Sequence, residues 1–170
     1  MPVEPTGSVR ETETGIDLTV DRYLQAPIAD VWSSVTESGR TALWFGPWEG
    51  DGRPGGRVVV TLTAEDGQPT SHLEVVACEA PHRLEVSMHD EHGVWDLEIR
   101  LERAGSGTIV RLVHHLASRA GLGDVGPGWE FYLDRLAASR VDGPMPDFEA
   151  YYPGMREYYE ALKPTPPHVA

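Results

Sequence analysis

A chain of 170 residues with 40% hydrophobic side chains is sized for one domain, can bury a core without metal or disulfide staples, and is too apolar for a disordered polymer. Its 27 acidic and 14 basic residues leave a formal charge of −13, which repels nucleic-acid backbones and anionic lipid surfaces, and the scattered arginines and lone Lys163 make no basic footprint to offset it. The N-terminal residues 1–15 lack an apolar signal core and no stretch offers the ~20 consecutive apolar residues of a membrane span, so a cytoplasmic protein with no membrane span and no nucleic-acid partner is expected.

Residues 1–15 read as a flexible polar N-terminus ahead of a domain over 16–142. Ile16, Leu18 and Val20 alternate with Asp17, Thr19 and Asp21 at the two-residue period of a half-buried strand, which Ala26-Pro27 stops after Gln25. Ile28, Val31, Trp32 and Val35 then fall on one helical face behind Pro27. A short second helix after Ser38 is expected to carry Leu43, Trp44 and Phe45 and to end at Gly46-Pro47. Turn chemistry at Pro54-Gly55-Gly56, Asp66-Gly67, Pro81, His92-Gly93 and Gly105-Ser106-Gly107 punctuates a run of strands. Val58, Val60 and Leu62 share a face, as do Leu84, Val86 and Met88, then Trp95, Leu97, Ile99 and Leu101, then Val110 and Leu112. Glu85, Asp96, Glu98, Arg100, Glu102 and Arg111 occupy the opposite faces, the mark of an antiparallel meander wet on one side. The parity predicts Asp17, Asp96, Glu98 and Arg111 on the wet face, and Leu18, Trp95, Leu97 and Leu112 on the packed one. The single Cys78 cannot form an internal disulfide and reads as a small core residue in the run Val75-Val76-Ala77-Cys78.

After a glycine-rich stretch, Trp129, Tyr132, Leu133, Leu136 and Arg140 recur at helical spacing, which predicts one long amphipathic helix with Pro127 in its first turn. Residues 143–163 read as a helical extension split by Pro153, with Phe148, Tyr151 and Tyr152 before it and Met155, Tyr158, Tyr159 and Leu162 after. Those side chains need a surface, either the domain itself or a second copy, so the segment is a candidate homodimer contact. Residues 164–170 form a Pro-rich tail.

This order is that of the α+β helix-grip fold, a curved antiparallel sheet of about seven strands wrapped on a long C-terminal helix, with two small helices after the first strand. Ala26-Pro27-Ile28 with Val31-Trp32, Trp44-Phe45-Gly46-Pro47, Arg53-Pro54-Gly55-Gly56, Pro81 with Arg83-Leu84, the run from Thr108 to His114, and Gly128-Trp129 with Leu133-Asp134-Arg135-Leu136 stand in matching order. On these motifs residues 16–142 resemble the START-like superfamily, in particular its branch named after the activator of heat-shock-protein-90 ATPase. Such scaffolds serve lipid carriers, hormone receptors, polyketide cyclases and co-chaperones. The resemblance implies a ligand site between the concave sheet and the long helix, carried by Trp44, Phe45, Met88, Trp95, Leu112, His114, Trp129, Tyr132 and Leu133.

His89-Asp90-Glu91-His92 holds metal-ligand residue types, but neighbours in a strand point to opposite faces, so the segment reads as a solvated hairpin tip. For the same reason only one of His114 and His115 faces inward, and parity with Val110 and Leu112 selects His114. No nucleophile with a partnered base, phosphate loop or zinc-protease motif is present, so no catalytic residue, metal or cofactor is assigned. The reading favours a non-enzymatic binder of a small apolar or aromatic molecule, with His114 as its main polar contact. A cyclase or dehydratase using His114 as acid or base is the second reading, and a co-chaperone or interaction module the third.

Overall fold

The computed structural model describes residues 3–91 and 93–167; His92 and the end of the Pro-rich tail, 168–170, lie outside them. Eight strands form one open antiparallel sheet: β1 (Ser8–Glu11), β2 (Ile16–Leu24), β3 (Trp48–Gly50), β4 (Arg57–Thr61), β5 (Thr70–Glu79), β6 (Arg83–Asp90), β7 (Gly93–Ala104) and β8 (Gly107–Leu116), in the order β1-β2-β8-β7-β6-β5-β4-β3. Two short helices, α1 (Ile28–Thr36) and α2 (Ser38–Thr41), follow β2. The long helix α3 (Leu122–Arg140) and the short α4 (Arg156–Ala161) close the chain, with a 3-10 turn at Phe148–Ala150 between them. This is the helix-grip arrangement, and no helix among the described residues is long and apolar enough to cross a membrane.

Alternation sets which face packs. Leu18 pairs with His114, which pairs with Leu97, all pointing inward, while Asp17, His115 and Asp96 make the adjacent outward row. Leu18, Leu97 and Leu112 are buried and Trp95 half-buried on the inner face; Asp17 and Arg111 are half-buried and Asp96 exposed on the outer one. Glu98 departs from the expectation of a wet residue. It stands on the outer face yet is only 5% exposed, because Arg83, Arg100 and His115 converge on its carboxylate and cover it.

A β-bulge between Val75 and Ala77 shifts the register of β5 on β6. The extra residue leaves Val76 half exposed and brings Cys78, opposite Leu84, back to the inner face.

Other expectations give way at the ends. The sheet has an eighth strand because part of the segment expected to be flexible, Ser8–Glu11, pairs with β2 and buries Val9 against Leu18. The tail joins the fold too: the Thr165 N–H donates to the Val9 carbonyl at 2.9 Å and the Glu11 N–H to the Thr165 carbonyl at 2.8 Å, covering the edge of β1. Helix α2 ends at Thr41, before Trp44 and Phe45, since the Thr41 carbonyl accepts from the N–H groups of Phe45 and Gly46, both at 2.8 Å, and turns the chain. Helix α3 begins at Leu122, so Pro127 lies inside it and the glycine-rich stretch is its opening turns. Those glycines admit α4: a Cβ on Gly126 would stand 2.3 Å from the Tyr159 ring, and one on Gly123 2.8 Å from Arg156 and Glu160. Tyr151, Met155 and Tyr159 are thereby buried on the chain's own domain.

Candidate functional site

Helix α3 packs along β2, and α1 over β7 and β8. Among the described residues no helix packs as closely on β4, β5 or β6, and a cavity of about 140 Å³ remains between their inner faces and the helices. Its floor is the inward row of the sheet, from Val58 and Val60 on β4 through Leu73, Cys78, Leu84, Val86 and Ile99 to Leu112 on β8. Leu73, Cys78, Leu84, Val86 and Ile99 are only half-buried. Its roof comes from Val35 and Thr36 of α1, Trp44 and Phe45 of the following turn, Trp48 of β3, and Trp129, Tyr132 and Leu133 of α3.

The roof is held by named bonds. Arg140 at the end of α3 donates to Asp30 and, at 2.5 Å, to the Ser34 hydroxyl, tying α3 to α1. Trp44 Nε1 donates to the Ser34 carbonyl at 2.9 Å, and Arg135 Nε to the Trp44 carbonyl at 2.8 Å, so the turn after α2 is anchored to both helices. Thr41 Oγ1 donates to the Gly46 carbonyl at 2.7 Å. Gly46 crosses β4 so closely that a Cβ would lie 1.9 Å from the Thr61 carbonyl oxygen. Phe45 meets Tyr132 edge to face, 5.1 Å between centroids, and the Tyr132 hydroxyl donates to Glu65 at 3.0 Å. Burial, reinforced by the Glu65 carboxylate, pushes the Tyr132 hydroxyl above its ordinary pKa, so it stays protonated.

Six of the nine residues expected at the site line the cavity: Trp44, Phe45, Leu112, Trp129, Tyr132 and Leu133. The other three fall outside the lining: Trp95 and His114 stand around Trp129, and Met88 is buried on the inner face of β6 opposite Trp95. His114 stacks on Trp95 at 5.2 Å, and its Nδ1 accepts from Trp129 Nε1 at 3.2 Å. The indole of Trp129 thus takes up the imidazole that parity aims inward. Burial, helped by His115, holds the His114 pKa down at about 4, so it is neutral at physiological pH. Trp95 Nε1 finds a partner in Asp90 at 3.2 Å. His89 lies outward beside Ser87, Asp90 inward beside Trp95, and His92 falls outside the described residues. Among the described residues no group of three or more His, Cys, Asp or Glu is arranged to hold a metal ion.

The floor residues of β4 to β6, with Trp48 and Thr36, were not among the expected site residues. The alternation of those on β4 and β6 was readable and that on β5 was not; that they border a void follows from strand order, because they lie farthest from β2, where α3 packs.

The sequence model of the Activator of Hsp90 ATPase homolog 1-like protein family matches residues 25–139. Among curated proteins no relative matches. The crystal structure of CalU16 from Micromonospora echinospora is similar at TM-score 0.76 and 30% identity, over 94% of this chain and 96% of that one. The protein encoded by BPP1335 from Bordetella parapertussis is similar at TM-score 0.73 and 23% identity, over 95% and 93%. DynU16, a protein in the dynemicin biosynthetic locus, gives TM-score 0.66 and 21% identity over 81% of this chain and 50% of its own. The latter two show a common fold.

Proposed function

Because the chain belongs to the family of Activator of Hsp90 ATPase homolog 1-like proteins, whose scaffold here leaves an apolar cavity under its helices, we propose that it binds a small apolar or aromatic molecule in that cavity. The observation that carries this reading is the uncovered inner floor. Leu73, Leu84, Val86 and Ile99 face inward in a folded domain and are still only half-buried, and filling the space above them removes apolar surface from water.

The volume sets the size of what fits. An apolar cavity of roughly 150 Å³ accepts a benzene ring, so the 140 Å³ here takes one ring or a short branched chain. If filling the void returns the ~24 cal/mol per Å³ that an empty core volume costs, the gain is about 3 kcal/mol, weaker than millimolar binding. A tighter ligand must also extend along the half-buried floor toward Cys78 and Leu84. His114 acts in this reading as a positioning residue that fixes the Trp129 indole, and Trp129 presents its ring to the ligand.

A thermal-shift panel of soluble neutral ring compounds, from phenol to the larger indole that reaches along the floor, tests the proposal. Their binding should raise Tm, and Val86→Phe, which fills the floor from within, should abolish the response while the variant stays folded. A wild-type Tm that none of these compounds moves at concentrations reaching tens of millimolar, well above the affinity the volume allows, rejects the function.

A further inference from the structure

The N–H and O–H side-chain donors on the cavity wall are engaged within the protein. Trp44 Nε1 is held by the Ser34 carbonyl at 2.9 Å, Trp48 Nε1 by the Thr36 carbonyl at 3.0 Å and Trp129 Nε1 by His114 at 3.2 Å. The hydroxyl of Thr36 donates to the Trp32 carbonyl at 2.7 Å, that of Thr41 to Gly46 at 2.7 Å and that of Tyr132 to Glu65 at 3.0 Å. Among the described wall side chains this leaves the Cys78 thiol, a weak donor. The lone pairs of the two threonine hydroxyls and of Tyr132 remain, and these are acceptors.

The charges around the wall point the same way. Glu65 lies behind Tyr132, and Glu98 on the far side of the sheet is surrounded by Arg83, Arg100 and His115. Near Gly52 of the rim, Arg53 is paired with Asp51 at 3.0 Å. Arg135 is not part of the lining, and its Nε is engaged by the Trp44 carbonyl. A carboxylate or phosphate brought inside would meet acceptors and hydrocarbon, and an anion buried without donors loses hydration that nothing replaces.

We infer that the cavity selects its ligand by charge, accepting uncharged rings, including those that carry an O–H or N–H donor, and rejecting anionic molecules of the same shape. The inference rests on the binding function proposed above and narrows it to neutral ligands, setting fatty acids and aromatic acids aside.

Matched pairs decide it: methyl benzoate against benzoate, 2-naphthol against 2-naphthoate, and decanol against decanoate, each titrated into the wild-type protein at pH 7. The neutral member should bind roughly 30-fold more tightly or better, the factor equivalent to about 2 kcal/mol. A donor introduced at the half-buried floor position, Leu84→Arg, should narrow or reverse the preference, and Leu84→Gln, which is less demanding on folding, should narrow it in part. Equal affinities within the pairs overturn the charge selection and leave the binding function standing. If neither member of any pair binds, the binding function falls and the inference falls with it.

Discussion

His114 and His115 share a strand and a peptide bond, yet their surroundings push them in opposite directions. Burial lowers His114 to about 4, with His115 adding to the shift. Burial also pulls His115 down, but its bonds to Asp17 at 2.6 Å and Glu98 at 2.9 Å outweigh that and raise it. For His114 the folded pKa lies below the unfolded value of about 6.5, so its contribution is complete above that pH and is lost as pH falls toward 4. For His115 the folded pKa lies above, so its contribution is complete below about 6.5 and is lost as pH rises through the folded pKa. Denaturant unfolding followed from pH 4 to 9 should therefore show stability declining on both sides. His114→Gln, which keeps an acceptor for Trp129, should remove up to about 3 kcal/mol of the acid-side decline. His115→Gln should flatten the alkaline side. If neither variant changes the curve, the two environments are misjudged. The inward direction of His114 was legible from parity alone. Its capture by Trp129 was not, because a strand's period gives the face of a side chain and is silent on what the opposing helix sets against it.

At the scale of elements, period-two alternation was legible wherever one face packs and the other is wet, as in β2 and β7. It failed at the β5 bulge, where four apolar residues in succession conceal an extra residue and exposed Val76 belongs to neither row. The glycine-rich stretch before Trp129 misled for a different reason. Glycine is a poor helix former on its own, and only the later arrival of α4 makes Gly123 and Gly126 useful to a helix. Gly126 and Gly128 separate the two effects. A methyl group on Gly126 meets the Tyr159 ring, whereas nothing lies within 4 Å of one on Gly128. Gly126→Ala should cost about 1–3 kcal/mol through overpacking, and Gly128→Ala should gain roughly 0.5–1 kcal/mol through helix propensity. Equal effects from the two would mean that α4 does not bear on α3 as described.

Across the whole molecule, the extension ties sequence-distant parts into one buried polar knot. Glu130, fully buried on α3, accepts from Arg22 of β2 at 2.6 Å, from the N–H groups of Thr6 and Gly7 at 2.6 and 3.0 Å, and from the Tyr159 hydroxyl. Asp134, one turn on, accepts from Arg22 at 2.6 Å and from the Tyr151 hydroxyl at 2.6 Å. The expected flexible N-terminus and the C-terminal aromatic segment thus meet on Glu130, and the segment reaches Asp134 as well. Removing one partner of such a buried pair leaves the other charge without compensation, so Glu130→Ala should destabilise the fold by about 3–5 kcal/mol. Truncation after Gly143 goes further, because it removes Tyr151, Met155 and Tyr159 together with two donors to the knot. Each of the three contributes on the order of 1.5–3 kcal/mol by burial, which together rivals the 5–15 kcal/mol that holds an ordinary domain folded. The truncated chain should melt far below the full-length protein or fail to fold. Because these side chains are buried on the chain's own α3, the full-length oligomeric mass, measured by sedimentation, should not depend on them: Tyr159→Phe should lower Tm and leave the mass unchanged. If Tyr159→Phe changes the mass while Tm holds, the segment serves a contact between copies, and its packing on α3 is not what stabilises the fold.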